Sequence, residues 1–337
     1  MCAENYAIDK LERILIVGSS NPEITFLLLP AIKQIREQNR NSKFDIVAGT
    51  GCEKILKETG WFERIIICGK FSPIKIYRNT CREKYKMVIA FRPSIIPYIV
   101  RAEKKFVFLP NRLFTDRFFT HESVKYLKLI EPVFGKPKEN ELYFPISESD
   151  REKMKEFLKS NNITGSTTII AIHTGDSKTP DQWDASNYVK LIDVLIDEYN
   201  AKVFLFGEIH SSLVKEIIAA SKHKDSIRDM SEMINLREIA AFLSRTNLAI
   251  TRDGIFLYIA CSMKTPVVSI FGAGNPYRFG PIGTRYINIH AQIDCFPCDK
   301  KRPCKRNYRC IKSIEPENVI EASRLILDEG KQLFLFE

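Results

Sequence analysis

Short apolar runs alternate with segments of helical periodicity along the first 110 residues. The run 13–19 (RILIVGS) is apolar and ends in small residues, which is typical of a buried parallel strand. Residues 22–38 carry apolar side chains at helical spacing and a proline in the first turn, which predicts an α-helix. Four further β-rich runs follow: FDIVAG, RIIICG, KMVIAF and KFVFL. This alternation predicts a parallel α/β sheet.

The alternation is interrupted in the middle of the chain and then resumes. Residues 110–137 are aromatic and basic, then helical, and a polar helix (148–160) and a linker-like stretch (161–167) follow. The second half predicts strands at 168–175, 203–207, 248–251 and 266–272, with helices at 185–199, 210–222, 236–246, 255–262 and 316 to about 328. We therefore expect two Rossmann-like domains, at 1–155 and 156–337.

Composition narrows the class of protein. Hydrophobic residues make up 45% and charged residues 27% of the 337 positions, values typical of a globular protein and not of a disordered one. No apolar run approaches the ~20 residues that span a bilayer, and the start of the chain lacks the pattern of a signal peptide. We expect a cytoplasmic protein.

The net charge of +10 favours anionic partners, namely a phosphorylated glycolipid, an anionic membrane surface or nucleic acid. The basic residues are spread along the chain, apart from 101–105 and one cysteine-rich run. The aromatic and basic stretch 106–119 is either a contact for acceptor lipid or a membrane face, or, more commonly for such a pattern, a mixture of core and loop. Charge alone selects no partner.

The cysteine segment, residues 295–310 (CFPCDKKRPCKRNYRC), holds four of the nine cysteines. In a reducing compartment, clustered cysteines are more often metal ligands or catalytic thiols than disulfides. Cys295, Cys298, Cys304 and Cys310 are together able to close a tetrahedral site for a structural zinc or iron ion. Free or reversibly oxidised thiols and disulfides remain alternatives. The other cysteines are predicted to be small buried hydrophobic residues: Cys2, Cys52, Cys68, Cys81 and Cys261.

Three loops follow predicted strands of the second half. Ligands of α/β proteins bind at the carboxyl ends of strands, and in a two-domain protein we expect them in the cleft between the domains. The loop 173–183 offers a glycine, hydroxyl groups and Lys178 to a phosphate. The loop at 251–260 runs into a helix through backbone amides, and 271–281 carries three glycines and Arg278.

The order and spacing of 172-IHTG-175, Trp183, 236–254 and 260–281 resemble glycosyltransferase family 9, the bacterial ADP-heptose:lipopolysaccharide heptosyltransferases. The cysteine segment and the residues after it look like the end of many members. The first half fits more loosely. The resemblance implies the GT-B fold, with two Rossmann-like domains facing each other across a cleft. It also implies an acceptor on the first domain, a nucleotide-sugar on the second, inversion at the anomeric carbon and no cofactor for catalysis.

The resemblance implies donor-binding roles for these residues of the second domain: His173, Thr174, Gly175, Lys178, Trp183, Asp253, Gly254, Tyr258, Gly272 and Arg278. The family motif Asp-Ser/Thr-Gly-x-x-His-x-Ala reads 253-DGIFLYIA-260 here, so Gly254 replaces a hydroxyl residue and Tyr258 a histidine. The family's Lys-Arg-Trp reads 181-DQW-183, which puts Asp181 where a diphosphate requires a cation. Lys178, three residues upstream, is expected to compensate.

Glu23 is the candidate general base. The family's early Gly-Asp, which supplies the base, aligns through Pro30 onto Glu23 and Ile24. The resemblance implies that a carboxylate in this loop takes the proton of the acceptor hydroxyl. The alternative is that Glu23 is an acid in the first turn of a helix, where it interacts favourably with the helix dipole.

The expected function is therefore an inverting, heptosyltransferase-like glycosyltransferase. It would transfer a sugar from a nucleotide-diphosphate donor to lipopolysaccharide or another anionic cell-envelope glycan or glycolipid. ADP-heptose is the favoured donor. Peripheral contact with the inner membrane would accompany that acceptor. The alternative is a non-catalytic protein that keeps the cleft for binding or assembly. A third hypothesis, a nucleic-acid-binding protein stabilised by a metal ion in the cysteine segment, is supported only by the net charge and the cysteines. We expect no nucleic-acid partner.

Overall fold

A computed structural model describes residues 12–69, 73–108, 119–137, 141–175, 181–233, 235–298 and 304–333. The chain divides into two compact units. The first contains Met1–Arg117 and Glu122–Asn140, and the second contains Phe118–His121 and Glu141–Glu337.

The first unit is a five-stranded sheet flanked by helices. All its strands are parallel, in the order β3-β2-β1-β4-β5. The strands are β1 (Arg13–Val17), β2 (Lys43–Ala48), β3 (Arg64–Ile67), β4 (Tyr85–Ala90) and β5 (Ala102–Val107). The helices are α1 (Pro22–Gln38), α2 (Glu53–Thr59), α3 (Pro73–Thr80), α4 (Ile96–Ile99) and α5 (Glu122–Phe134).

Strand β1 explains why this sheet reads as continuous apolar runs. Ile14 and Ile16 belong to one buried cluster, while Leu15 and Val17 belong to another. Because successive side chains of a strand point to opposite faces, both faces of the sheet are covered and both need apolar residues.

The second unit is a six-stranded parallel sheet in the order β11-β10-β9-β6-β7-β8. Its strands are β6 (Ile169–His173), β7 (Lys202–Phe206), β8 (Ile227–Asp229), β9 (Leu248–Arg252), β10 (Val267–Phe271) and β11 (Tyr286–His290). Its helices are α6 (Glu148–Ser160), α7 (Ala185–Tyr199), α8 (Ser212–Ala220), α9 (Leu236–Leu243), α10 (Ile255–Ser262), α11 (Pro276–Phe279), α12 (Arg309–Lys312) and α13 (Pro316–Leu333).

The predicted α/β class is confirmed in both units. The strands that the apolar pattern did not predict, β8 and β11, lie at the two edges of the second sheet and are only partly buried. An edge strand is covered less than a central one, so its sequence carries a weaker apolar signal. Within the described ranges, no helix is long and apolar enough to cross a membrane.

Candidate functional site

The loops after β6, β9 and β10 meet at one edge of the second sheet. Strand β9 lies between β6 and β10, and the register pairs His173 with Thr251 and Ile270 with Arg252. Because all three strands are parallel, their carboxyl ends lie side by side. Residues 173–175, 252–254 and 272–275 therefore form one group, which we call the strand-end cluster.

Glycines shape this cluster. Gly254, directly before α10, has φ 138°, a conformation that residues with a side chain rarely adopt. The glycine that replaces the hydroxyl residue of the family motif thus adopts a backbone conformation that a hydroxyl residue would rarely take. At Gly274, a Cβ atom would lie 2.6 Å from Oδ2 of Asp253. The backbone of the third loop therefore packs directly against the Asp253 carboxylate and holds it in place.

Arg252, the last residue of β9, is a buried cation in the cluster, with 7% of its surface exposed. Its Nη2 forms an ion pair with Oδ2 of Asp181 at 3.1 Å, and its Nη1 donates to Oε1 of Gln182 at 3.0 Å. The Gln182 amide nitrogen in turn donates to the Thr174 carbonyl oxygen at 2.6 Å. Arg252 is not among the residues that the family motif selects. The available signal is a charged residue at the end of an otherwise apolar strand.

His173, at the end of β6, is a neutral group of the cluster. Its ring stacks on that of Phe256, with 4.8 Å between the ring centroids. Burial, with a smaller contribution from Arg252, lowers the pKa of His173 to about 4. The imidazole is therefore uncharged at neutral pH. Its Nδ1 atom is buried and has no hydrogen-bond partner among the described residues.

Trp183 and Tyr258, two large aromatic residues predicted to bind the donor, are fully buried. Trp183 donates from Nε1 to the Ile314 carbonyl oxygen at 2.8 Å and packs edge-on against Tyr188. Tyr258, on α10, is also fully buried. These positions connect the donor loops to the core. Direct contact of either side chain with a donor stays a prediction.

The two basic residues predicted to bind the donor are Arg278 and Lys178. Arg278 lies on the short helix α11, with its guanidinium carbon 4.8 Å from the centroid of the Phe279 ring. The side chain of Asn275 caps this helix by accepting from the amides of Tyr277 and Arg278. Lys178 lies outside the described residues, so its expected compensation for Asp181 stays a prediction.

The cysteine segment adjoins the cluster through its last residues. Cys295, Cys298 and Cys304 are exposed, whereas Cys310 is buried on α12. Burial raises the pKa of the Cys310 thiol, and the thiols of the other three cysteines raise it further. The next residue along, Ile311, is fully buried, and a Cβ atom on Gly272 would lie 3.1 Å from the Cβ of Ile311. The end of the segment therefore packs under the loop after β10.

The predicted metal site of the cysteine segment is not formed by the described side chains. Within the described part of the chain, which omits residues 299–303, no group of three or more His, Cys, Asp or Glu side chains is placed to hold a metal ion. Among the cysteines predicted to be buried, Cys52, Cys68 and Cys261 are buried and Cys81 is partly exposed. Cys2 lies outside the described residues.

Glu23, in the first unit, lies in the first turn of α1 at the carboxyl end of β1 and is exposed. The Asn21 side chain caps the helix by accepting from the Ile24 amide at 3.0 Å. A Cβ atom on Gly49 would lie 2.6 Å from Cα of Ser20, so the neighbouring loop packs closely on this turn. The backbone of the turn is thus well supported while the carboxylate is accessible. This placement suits a general base as well as a first-turn acid.

Comparison with known proteins decides the family. Residues 99–309, well over half of the chain, match the sequence model described as glycosyltransferase family 9 (heptosyltransferase). The chain belongs to this family. The resemblance inferred from the sequence is thereby confirmed, and the protein is a glycosyltransferase.

Individual relatives agree with this membership. Lipooligosaccharide heptosyltransferase 2 of Campylobacter jejuni is 23% identical over 313 residues, covering 90% of this chain and 94% of the relative. The structure of a family 9 glycosyl transferase from Veillonella parvula matches with a TM-score of 0.74 at 20% identity, covering 94% of this chain and 98% of that one. ADP-heptose LPS heptosyltransferase II of E. coli matches with a TM-score of 0.71 at 15% identity, covering 95% and 99%. These likenesses confirm the predicted GT-B fold class.

Proposed function

We propose that this glycosyltransferase moves heptose from ADP-heptose to the core of a lipopolysaccharide or lipooligosaccharide, with inversion at the anomeric carbon. The observation that carries the proposal is the strand-end cluster, in which three loops meet at the edge of the sheet where α/β proteins bind nucleotides. Family membership and the names of the similar proteins support the choice of donor and acceptor.

The second unit binds the donor in this proposal. The first amides of α10, after Gly254, bind the diphosphate, whose negative charge grows as it leaves. His173 stays neutral because its pKa is lowered to about 4, and it serves as a hydrogen-bonding group without adding charge. The carboxylate of Asp253, packed against Gly274, accepts a hydrogen bond from a hydroxyl or amino group of the nucleotide-sugar.

The first unit supplies the base in this proposal. Glu23 removes the proton from the acceptor hydroxyl while the acceptor oxygen forms a bond to the anomeric carbon. The bond from this carbon to the diphosphate oxygen breaks, and ADP leaves with the electron pair. The exposed carboxylate of Glu23 supports this role, since a general base must reach a bound hydroxyl.

The protein acts in the cytoplasm, in peripheral contact with the inner membrane, where a lipid-linked acceptor is found. The cysteine segment is stapled by about one zinc or iron ion per chain, with a structural role. Four thiols have the required ligand chemistry, but the described side chains do not form a ready-made site. Elemental analysis of wild type and Cys298→Ser tests the ion.

The transfer itself is tested with purified protein, ADP-heptose and a heptose-deficient lipopolysaccharide core, with the product analysed by mass spectrometry. A calorimetric screen of ADP-, UDP- and GDP-sugars identifies the donor independently. Transfer of heptose from ADP-heptose supports the proposal. Tight donor binding without transfer to any core acceptor favours the non-catalytic alternative. Failure of every nucleotide-sugar to bind contradicts the proposed donor site.

A further inference from the structure

Arg252 is a buried charge that the proposed reaction does not yet use. Moving a charged side chain out of water is costly unless the charge is paired and hydrogen-bonded. The partners of Arg252 are the Asp181 carboxylate and the Gln182 side-chain oxygen. Its Nε atom is buried and has no hydrogen-bond partner among the described residues. The strand-end cluster therefore contains a fixed guanidinium with spare hydrogen-bonding capacity.

The partners of Arg252 occupy the positions where the family motif carries cations. The motif Lys-Arg-Trp reads 181-DQW-183 in this chain, so Asp181 and Gln182 stand in place of the lysine and the arginine. Both replacements contact the guanidinium of Arg252. The positive charge missing from the loop after β6 is thus present nearby at the end of β9, and the replaced residues hold it there.

The loop after β6 packs closely on the guanidinium of Arg252. Gly175 has φ 81°, and a Cβ atom at this residue would lie 3.2 Å from Nη1 and 3.3 Å from Cδ of Arg252. Any side chain at this position would therefore press on the guanidinium. Arg252 also directly precedes Asp253 and Gly254, which lead into α10.

We propose that Arg252 binds the diphosphate of the donor in this protein, in place of the loop cations of the family, and that Asp181 and Gln182 position its guanidinium. This inference rests on the proposed function, because its ligand is a nucleoside diphosphate sugar. A planar guanidinium binds two phosphate oxygens with parallel hydrogen bonds, which a single ammonium group does not do. In an enclosed site it also stabilises the charge that develops on the leaving diphosphate.

Asp181 does not oppose the diphosphate under this arrangement. Its carboxylate lies 3.1 Å from Nη2 of Arg252, so the two charges largely cancel before a donor arrives. Removing the carboxylate alone leaves the guanidinium uncompensated. Asp181→Asn is therefore expected to bind a diphosphate at least as tightly as wild type, whereas loss of Arg252 weakens binding.

The test uses two probes, ADP and inorganic pyrophosphate, with affinities measured by calorimetry. The double variant Arg252→Gln/Asp181→Asn removes both charges and leaves neither buried alone. We expect its affinity for both probes to fall by about 10- to 100-fold, the effect of losing charge-assisted hydrogen bonds. Circular dichroism and a thermal melt establish that the variant is folded.

A second double variant tests the change in position of the cation. Asp181→Lys/Arg252→Gln returns the positive charge to the loop after β6 and is expected to recover most of the lost affinity. A residue that merely supports the fold would not be replaced in this way. The matched control is Arg237→Gln/Asp150→Asn, which removes another Arg–Asp ion pair of the second unit, with 2.6 Å between its charged atoms. This control is expected to bind both probes like wild type.

Wild-type affinity in the folded Arg252→Gln/Asp181→Asn variant would overturn the inference, as would an equal loss in the control pair. If wild type binds pyrophosphate through Arg252 but does not bind ADP, the inference stands and the proposed ADP donor fails. If wild type binds neither probe, both are overturned.

Discussion

The loop after β1 and the loops after β6, β9 and β10 follow strands of two parallel sheets, yet they are built differently. In the first unit, Glu23 is exposed in the first turn of a capped helix. In the second, Arg252 is buried in an ion pair and the pKa of His173 is lowered to about 4. A general base has to be reached by a hydroxyl, whereas a diphosphate is best bound by charges and dipoles fixed before it arrives. The same topology would thus supply the two kinds of chemistry that the proposed transfer requires.

The largest effect is expected at Glu23, the exposed residue of the first unit. Glu23→Gln keeps the shape of the side chain but removes the base, so turnover should fall by about 10²- to 10⁴-fold with little change in donor affinity. Transfer of heptose to the core acceptor is the measurement. Glu53→Gln, in the first turn of α2, is the matched control and should retain full turnover. Turnover of Glu23→Gln within a few-fold of wild type would make Glu23 only a helix-start residue.

The environment of His173 in the second unit is tested by the pH dependence of the free energy of unfolding. Unfolded histidine has a pKa near 6.5, whereas burial lowers the pKa of folded His173 to about 4. Unfolding therefore takes up a proton between these values, and stability falls as the pH drops from about 6.5 to 4. The expected loss is roughly 3 kcal/mol over this window. Chemical denaturation at several pH values should show a flatter dependence for His173→Phe. A slope as steep as that of wild type would contradict an enclosed neutral imidazole. His210→Phe, at an exposed position, is the control.

A smaller effect is expected where the third loop packs on Asp253. In Gly274→Ala the new methyl group collides with the carboxylate, since the ideal Cβ lies 2.6 Å from its Oδ2. Displacement of Asp253 should weaken ADP binding by about tenfold, as expected for one hydrogen bond of a charged group. Gly165→Ala is the matched control, because a Cβ at that position meets no atom within 4 Å. Equal ADP affinity in both variants would mean that Asp253 does not contact the donor.

The smallest effect is expected at Trp183. Trp183→Phe removes the indole N–H that donates to Ile314, leaving a buried carbonyl oxygen without that partner. The free energy of unfolding should fall by about 1 kcal/mol, while ADP affinity changes little. Trp61→Phe, in the first unit, serves as the control for loss of an indole. A large loss of ADP affinity with unchanged stability would instead show that Trp183 touches the donor directly.

The apolar periodicity of the chain was sufficient to predict the strands of the first unit, the four inner strands of the second unit and the long helices of both. Strands such as β1 and β9 are covered on both faces, so burial imposes a near-continuous apolar run that is legible without coordinates. The edge strands β8 and β11 were not predicted: β8 spans only three residues, and neither strand is fully buried, so burial imposes no continuous apolar run there. The family and its motif positions were likewise predicted from the sequence, since they depend on residue types at fixed spacings.

Only the tertiary structure decided how the charges of the site are arranged. The sequence alone makes Asp181 a negative charge where the family carries a cation. Gln182 and Arg252 are 70 residues apart in the chain, and they meet because β9 pairs with β6. The same pairing brings the carboxylate of Asp181 to the guanidinium. Spacing along a chain determines which side chains share a face of a helix or strand, but the charge that a loop residue meets depends on which strands become neighbours.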